Sequence, residues 1–110
     1  MIRKLPKKVK RDGRFRSQRH LSHIRGHACV VCDASAPIEA AHVRIGSGAG
    51  MGQKPHDYYA VPLCKPCHQR QHTVGERTFW EDFDLNVIIF QLISTSPVWR
   101  EIEAHRNAKS

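Results

Sequence analysis

The 110 residues carry 18 Lys/Arg against 10 Asp/Glu, a formal net charge of +8, and 40% of them are apolar. This length supports one domain with peripheral segments and a core small enough for an internal metal staple to matter. No apolar run is long enough to span a membrane, and the basic start leads into no apolar stretch of the signal-peptide kind, so a cytoplasmic location is expected.

The charge is concentrated at the start: residues 1–27 hold ten Lys/Arg and a single acid, Asp12. Residues 1–18 have few apolar positions and are expected to form an arm that is mobile or ordered only on contact. Lys7, Lys8, Lys10, Arg11, Arg14 and Arg16 are its candidate polyanion contacts, which would make binding steeply salt-dependent. A solubilising tail would have the same composition. Beside a metal site, nucleic acid is the better reading.

Leu21 and Ile24 predict a short helix over 19–26, ended by Gly26. His23 and His27 lie four apart but Gly26 interrupts them, so they are expected to be exposed or to face phosphate. An apolar knuckle, 28–32, leads into a turn at 33–37. Residues 38–45 are compatible with a strand, and 46–56, with glycine at 46, 48, 50 and 52, form a long loop. A second strand follows at 58–63, then a helix over 65–74 with Pro66 in its first turn. After Gly75 the pattern is helical, with Phe79, Trp80 and Phe83 on one apolar face and Val87, Ile88, Phe90 and Leu92 on another. Ser96-Pro97 starts a last helix over 98–106.

Chemistry concentrates in Cys29-x-x-Cys32 and Cys64-x-x-Cys67. In a reducing compartment such pairs are metal ligands rather than disulfides. Two Cys-x-x-Cys turns close one tetrahedral zinc site, and four thiolates on Zn²⁺ would bring the net charge to about +6. A thioredoxin-like redox role would need one pair beside a βαβ unit, which this pattern lacks. The 31 residues between the pairs exceed what a compact zinc ribbon uses. Three histidines, His42, His68 and His72, are then left over. His68 and His72 project one turn apart from one helix face, with Cys67 rotated by roughly 100°. Either could instead replace a cysteine in the zinc site. His42 sits among apolar neighbours before the Gly-rich loop, with Arg44 two residues on toward the same face. A neutral imidazole there can take a proton from water, though a strand histidine can also be simply hydrogen-bonded. The loop lacks the Gly-Lys-Ser/Thr ending of a P-loop.

A cysteine knuckle, a strand ending in Ala-His, a Gly-rich loop and then PLCxxCHxxxH together resemble the HNH endonucleases of the ββα-metal fold. More narrowly, HLSHIRGHACVVC, AHVRIGSGAGMGQKPHD and VPLCKPCHQRQH are similar to small prophage nucleases related to the RecA-dependent nuclease Ref. The resemblance covers about 19–83. It implies an α+β fold with a zinc-stabilised ββα-metal core, flanked by the basic arm and a helical extension over 84–110. It implies a structural zinc on Cys29, Cys32, Cys64 and Cys67, His42 as general base, and a catalytic divalent ion, Mg²⁺ or another, on His68 and His72. Ala41 stands where many such enzymes place a metal ligand, and Tyr59 holds the position of a usual asparagine; Asp57 could supply the oxygen ligand or orient His42. Arg44 and Arg70 are candidates for neighbouring phosphates, or solvated surface charges. The implied function is metal-dependent hydrolysis of DNA phosphodiesters in phage recombination or repair, with a recombinase filament as a possible partner. The alternative is a non-catalytic zinc-knuckle module that binds DNA or a recombination protein.

Overall fold

In the structure, a computed structural model, residues 14–49 and 53–109 are described. They form five α-helices, one 3₁₀ turn and a two-stranded antiparallel sheet. Helix α1 spans Gln18–Arg25, strand β1 Ile38–His42, the 3₁₀ turn Asp57–Tyr59 and strand β2 Ala60–Cys64. Helices α2 (Lys65–Val74), α3 (Glu76–Phe79), α4 (Leu85–Ser94) and α5 (Trp99–Lys109) complete the chain. The α+β class is as the sequence implied.

The sheet runs in register from Ile38 opposite Cys64 to His42 opposite Ala60. This pairing sets the end of β1 and the start of α2 at fixed places around one short ladder. Strand β1 is shorter than the 38–45 expected. Beyond it the Val43 N–H still reaches the Tyr59 carbonyl at 3.0 Å. The N–H groups of Arg44 and Ile45 then turn to the Glu76 carboxylate, at 2.9–3.0 Å. A side chain of α3 thus takes over from the ladder and launches the Gly-rich loop. Gly46 and Gly48 take φ of 76° and 80°, the left-handed region that a glycine enters without strain.

Helix α1 starts where Ser17 accepts the His20 N–H, and ends at Gly26 as expected. Helix α2 matches 65–74, with Pro66 in its first turn and Gly75 at φ 91° beyond its end. The second strand begins two residues late because 57–59 wind into the 3₁₀ turn. Helix α4 buries only part of the face expected, with Leu92 in the core and Ile88 packed against it. Val87 and Phe90 are 47% and 60% exposed, whereas Ile89, Leu92 and Ile93 enter the core. The i, i+3, i+4 spacing of 89, 92 and 93 defines the true stripe. The last helix runs over 99–109 rather than 98–106, with the Ser96 hydroxyl accepting the Val98 N–H.

One hydrophobic cluster joins Leu21 and Ile24 of α1, Val61 and Leu63 of β2, Trp80, and Ile89, Ile93 and Ile102 of α4 and α5. Helices α4 and α5 therefore pack into the same core as the sheet. Of the arm, residues 1–13 lie outside those described, whereas 14–17 are built into the fold. Phe15 packs on the rings of Tyr58 and His105. Its N–H donates to His56 Nδ1 at 3.0 Å, and its carbonyl accepts the Asp57 N–H at 2.9 Å. No helix among the described residues is long and apolar enough to cross a membrane.

Candidate functional site

The two cysteine pairs converge. The four Sγ atoms lie within 4.8 Å of one another, and Cys32 and Cys64 sulfurs are 3.5 Å apart. A tetrahedron with metal–sulfur bonds of ~2.3 Å has edges of ~3.8 Å, so this donor set fits a zinc ion. None of the four is in a disulfide. The knuckle is shaped by backbone bonds: Cys29 N–H to the Ala34 carbonyl, and Asp33 N–H to the Cys29 carbonyl, both 2.9 Å. Asp33 turns the chain at φ 67°. The Val30 N–H then ties the knuckle to the Pro62 carbonyl of β2 at 3.1 Å. Burial alone would raise Cys29, but the N–H groups of Cys32, Cys64 and Val31 outweigh it and lower the thiol to about 6. Burial and the three neighbouring sulfurs push Cys67 up to about 12. Sulfurs packed this closely resist shared ionisation until a cation joins them.

His42, His68 and His72 line a second place, an open cleft of about 870 Å³ walled also by Arg44, Gln71 and Glu76. The end of β1 presents His42, and one face of α2 presents the other two. His42 Nε2 lies 2.9 Å from Asp57 Oδ1. Asp57 is 2% exposed; its other oxygen accepts the Ser17 N–H at 2.8 Å, and Arg16 stands 3.5 Å away. Burial alone would raise the Asp57 carboxyl, but His42, the Ser17 N–H and Arg16 prevail and hold it below its ordinary value. An ionised carboxylate accepts only. His42 therefore carries its proton on Nε2 when neutral, leaving the Nδ1 lone pair free. Of the two roles open to Asp57, oxygen ligand or partner of His42, the geometry realises the second. His68, His72 and Asp57 do not converge; among the described residues, the cysteines are the one group of three or more His, Cys, Asp or Glu that does.

His68 and His72 rings stand 5.1 Å apart between centroids. His68 Nδ1 is 2.7 Å from Glu39 Oε1, which orients the ring. Glu39, Ser17 and Glu76 were missed from the sequence because each acts through a partner distant in the chain. The one available signal was Glu39, the single acid of β1.

Of the candidate phosphate contacts, three arginines are bonded to residues 53–55 and one lies over an aromatic ring. Arg16 donates to the Pro55 and Lys54 carbonyls at 2.7 and 3.1 Å, which makes it a brace for the site loop. Arg14 donates to Gln53 Oε1 at 2.7 Å, and Arg44 to the Gln53 carbonyl at 2.9 Å. Arg70 lies over the Phe79 ring at 5.0 Å. Lys7, Lys8, Lys10 and Arg11 lie outside the described residues. His23 is not turned to solvent, as expected, but bonds the Leu92 carbonyl and Thr95 hydroxyl at 3.1 Å, and His27 bonds the His23 carbonyl at 2.8 Å.

Among known proteins, the chain is similar to the uncharacterized protein YdfU of Escherichia coli (strain K12), with 34% identity over 71 residues. That match covers 64% of this chain and 19% of the relative, so the chain spans about a fifth of that protein's length. No solved structure matches significantly. The model of DUF968, described as a protein of unknown function, matches residues 4–92, and the chain belongs to that family.

Proposed function

We propose that this chain is a metal-dependent endonuclease of the HNH type that hydrolyses DNA phosphodiesters, on a fold held by a structural zinc. The observation that carries the reading is the contact of buried Asp57 with His42, which lines a cleft together with His68 and His72. Asp57 holds the Nε2–H tautomer, so Nδ1 takes the proton of an attacking water. The imidazolium so formed is stabilised by the carboxylate beside it, the service an aspartate gives a histidine in hydrolytic triads. A divalent ion held by His68 and His72 would supply Lewis-acid stabilisation of the phosphate and the leaving oxygen. With Asp57 committed to His42, the protein ligands at that place are imidazoles. This donor set favours Mn²⁺, Co²⁺, Ni²⁺ or Zn²⁺ over the oxygen-seeking Mg²⁺.

The test is nicking of supercoiled plasmid by zinc-loaded protein across a series of divalent ions. A general base contributes ~10²–10⁴-fold in rate, so His42→Ala should lose cleavage while keeping zinc content, melting and DNA binding. His68→Ala and His72→Ala should lose cleavage together with affinity for the second ion. Equal activity of wild type and His42→Ala would remove His42 as base. If wild type binds DNA yet cuts no form of it with any ion, the chain is a binding module.

A further inference from the structure

Helix α4 leaves the Phe90 side chain 60% exposed. A single apolar ring at the surface needs no explanation, but this one borders a second recess, of about 310 Å³. Its lining combines Phe90 and the partly exposed Tyr59 with the buried Ile89, and with Asn86 and Arg106 at exposed positions. Tyr59 packs on the Tyr58 ring with centroids 5.3 Å apart. An adjoining hollow of about 460 Å³ shares Tyr59, Asn86 and Ile89 with the recess and reaches Ile45. Ile45 also lines the histidine cleft, so the two places border one another at the root of the Gly-rich loop. The acid of the hollow, Asp84, accepts the Val87 N–H at 3.2 Å and caps α4.

These residues describe the ligand they suit. Aromatic and aliphatic walls take a flat apolar group, the Asn86 amide can both donate and accept at its edge, and Arg106 supplies a positive charge. The size is at the small end of ligand recesses, ~300–1,000 Å³, enough for a single ring system. A nucleobase with its phosphate has this combination of faces, edge and charge, and the chain's net charge of +8 favours it over a neutral apolar partner. Bases in a duplex are stacked on both faces, so only an unpaired one can enter. We propose that this recess takes an unpaired nucleobase of the DNA strand whose phosphate lies in the histidine cleft. The proposal rests on the phosphodiester reading and names its substrate class: DNA with an unpaired stretch beside the cut. Phe90 and Tyr59 supply the stacking.

The experiment uses the zinc-loaded full chain without other divalent ions, so that binding is read apart from cleavage. The probes are a short oligothymidylate, an abasic strand of the same length and a duplex. Phe90→Ala removes a ring that is mostly in solvent, and Phe90→Trp keeps a stacking surface. Phe90→Ala should weaken oligothymidylate binding about tenfold, as loss of one stacked base does. Its affinity for the abasic strand and its salt slope should stay those of wild type, because stacking releases no counterions. Phe90→Trp should restore the loss. In wild type, the ring resonances of Phe90 and Tyr59 should move upfield on addition of oligothymidylate but not of the abasic strand, a readout that needs no variant. Equal affinity of wild type and Phe90→Ala for oligothymidylate, or rings unmoved at saturation, would overturn the proposal and leave the phosphodiester reading intact. If Phe90→Ala instead dissociates an oligomer at unchanged DNA affinity, the face belongs to a second copy and the proposal fails. A wild type that binds none of the three probes would overturn both.

Discussion

His42 depends on a residue fifteen positions away, and that separation explains what could be read from its neighbourhood and what could not. The residue types were legible: a strand histidine before a Gly-rich loop, and two helix histidines four apart. Asp57 was legible as a possible partner of His42, whereas Glu39 and Ser17 were not, because they meet His68 and Asp57 only through the sheet register and the α1 cap. Asp57 has two separate tasks, and substitution should expose both. In Asp57→Asn a single oxygen must serve either the His42 Nε2–H or the Ser17 N–H, and the amide nitrogen meets a donor. Denaturant unfolding should show a loss of about 1–3 kcal/mol, and plasmid nicking should fall by ~10² or more. His20 offers a pH test in a different place. It is fully buried, with Nδ1 2.8 Å from the Ser96 hydroxyl, and burial, then His23, lower it to about 4 against a slight opposing pull from Asp57. The unfolded chain, with histidine near ~6.5, then binds the proton more readily than the folded one. Stability from His20 is thus fully present above its unfolded value and is lost as pH falls from there toward the folded value. Between pH 7 and pH 5 the loss should be about 2 kcal/mol, at ~1.4 kcal/mol per unit. His20→Asn, which can keep the Ser96 bond, should lack this component, whereas acid release of zinc acts on both proteins alike. Equal slopes of stability against pH for the two would refute the assignment.

At the level of elements, cysteine spacing was the strongest signal, and it also set the helix that follows. Cys64 ends β2 and caps α2, while Cys29 and Cys32 lie on a knuckle bonded to β2 through Pro62. The sulfur cluster therefore joins three pieces of chain: the knuckle, β2 and α2. Helix boundaries with a glycine or proline at the end were legible, as at Gly26, Pro66 and Gly75, because those residues act locally. The exposed face of α4 was misjudged, because which of two apolar stripes is buried depends on the sheet and on α5. The early end of β1 was equally hidden, since it follows from Glu76, more than thirty residues on. Structural zinc sites in small folds release ~10 kcal/mol or more on binding, comparable with the ~5–15 kcal/mol total stability of a domain. Chelation, or Cys64→Ala, should accordingly abolish the cooperative thermal transition rather than lower it slightly. A chelated protein that melts at an unchanged temperature would show that the core stands without metal.

At the level of the whole molecule, the basic arm and the site meet at a defined seam. Residues 1–13 carry six Lys/Arg, whereas Phe15, Arg16 and Ser17 are bonded to the loop that holds Asp57. Composition alone joined these two stretches into one arm over 1–18, because both are basic. What divides them is Phe15, an apolar anchor on Tyr58 and His105, and Ser17, a helix cap. Two truncations should separate affinity from chemistry. Removing residues 1–13 deletes charge while leaving the Asp57 contacts in place. DNA binding should weaken, and the slope of log K against log salt should flatten by ~0.9 for each phosphate the arm no longer neutralises. Single-turnover cleavage at saturating protein should stay near the full-length rate. Removing residues 1–17 also withdraws the Ser17 N–H and the Arg16 guanidinium from Asp57. Its carboxyl should then rise toward the ordinary range, His42 should lose its fixed tautomer, and the saturated rate should fall as it does in Asp57→Asn. Both measurements need one salt series and one single-turnover assay per protein. An unchanged salt slope after the shorter truncation would make the arm a solubilising tail. Equal saturated rates for the two truncations would show that the arm's root does not support the dyad.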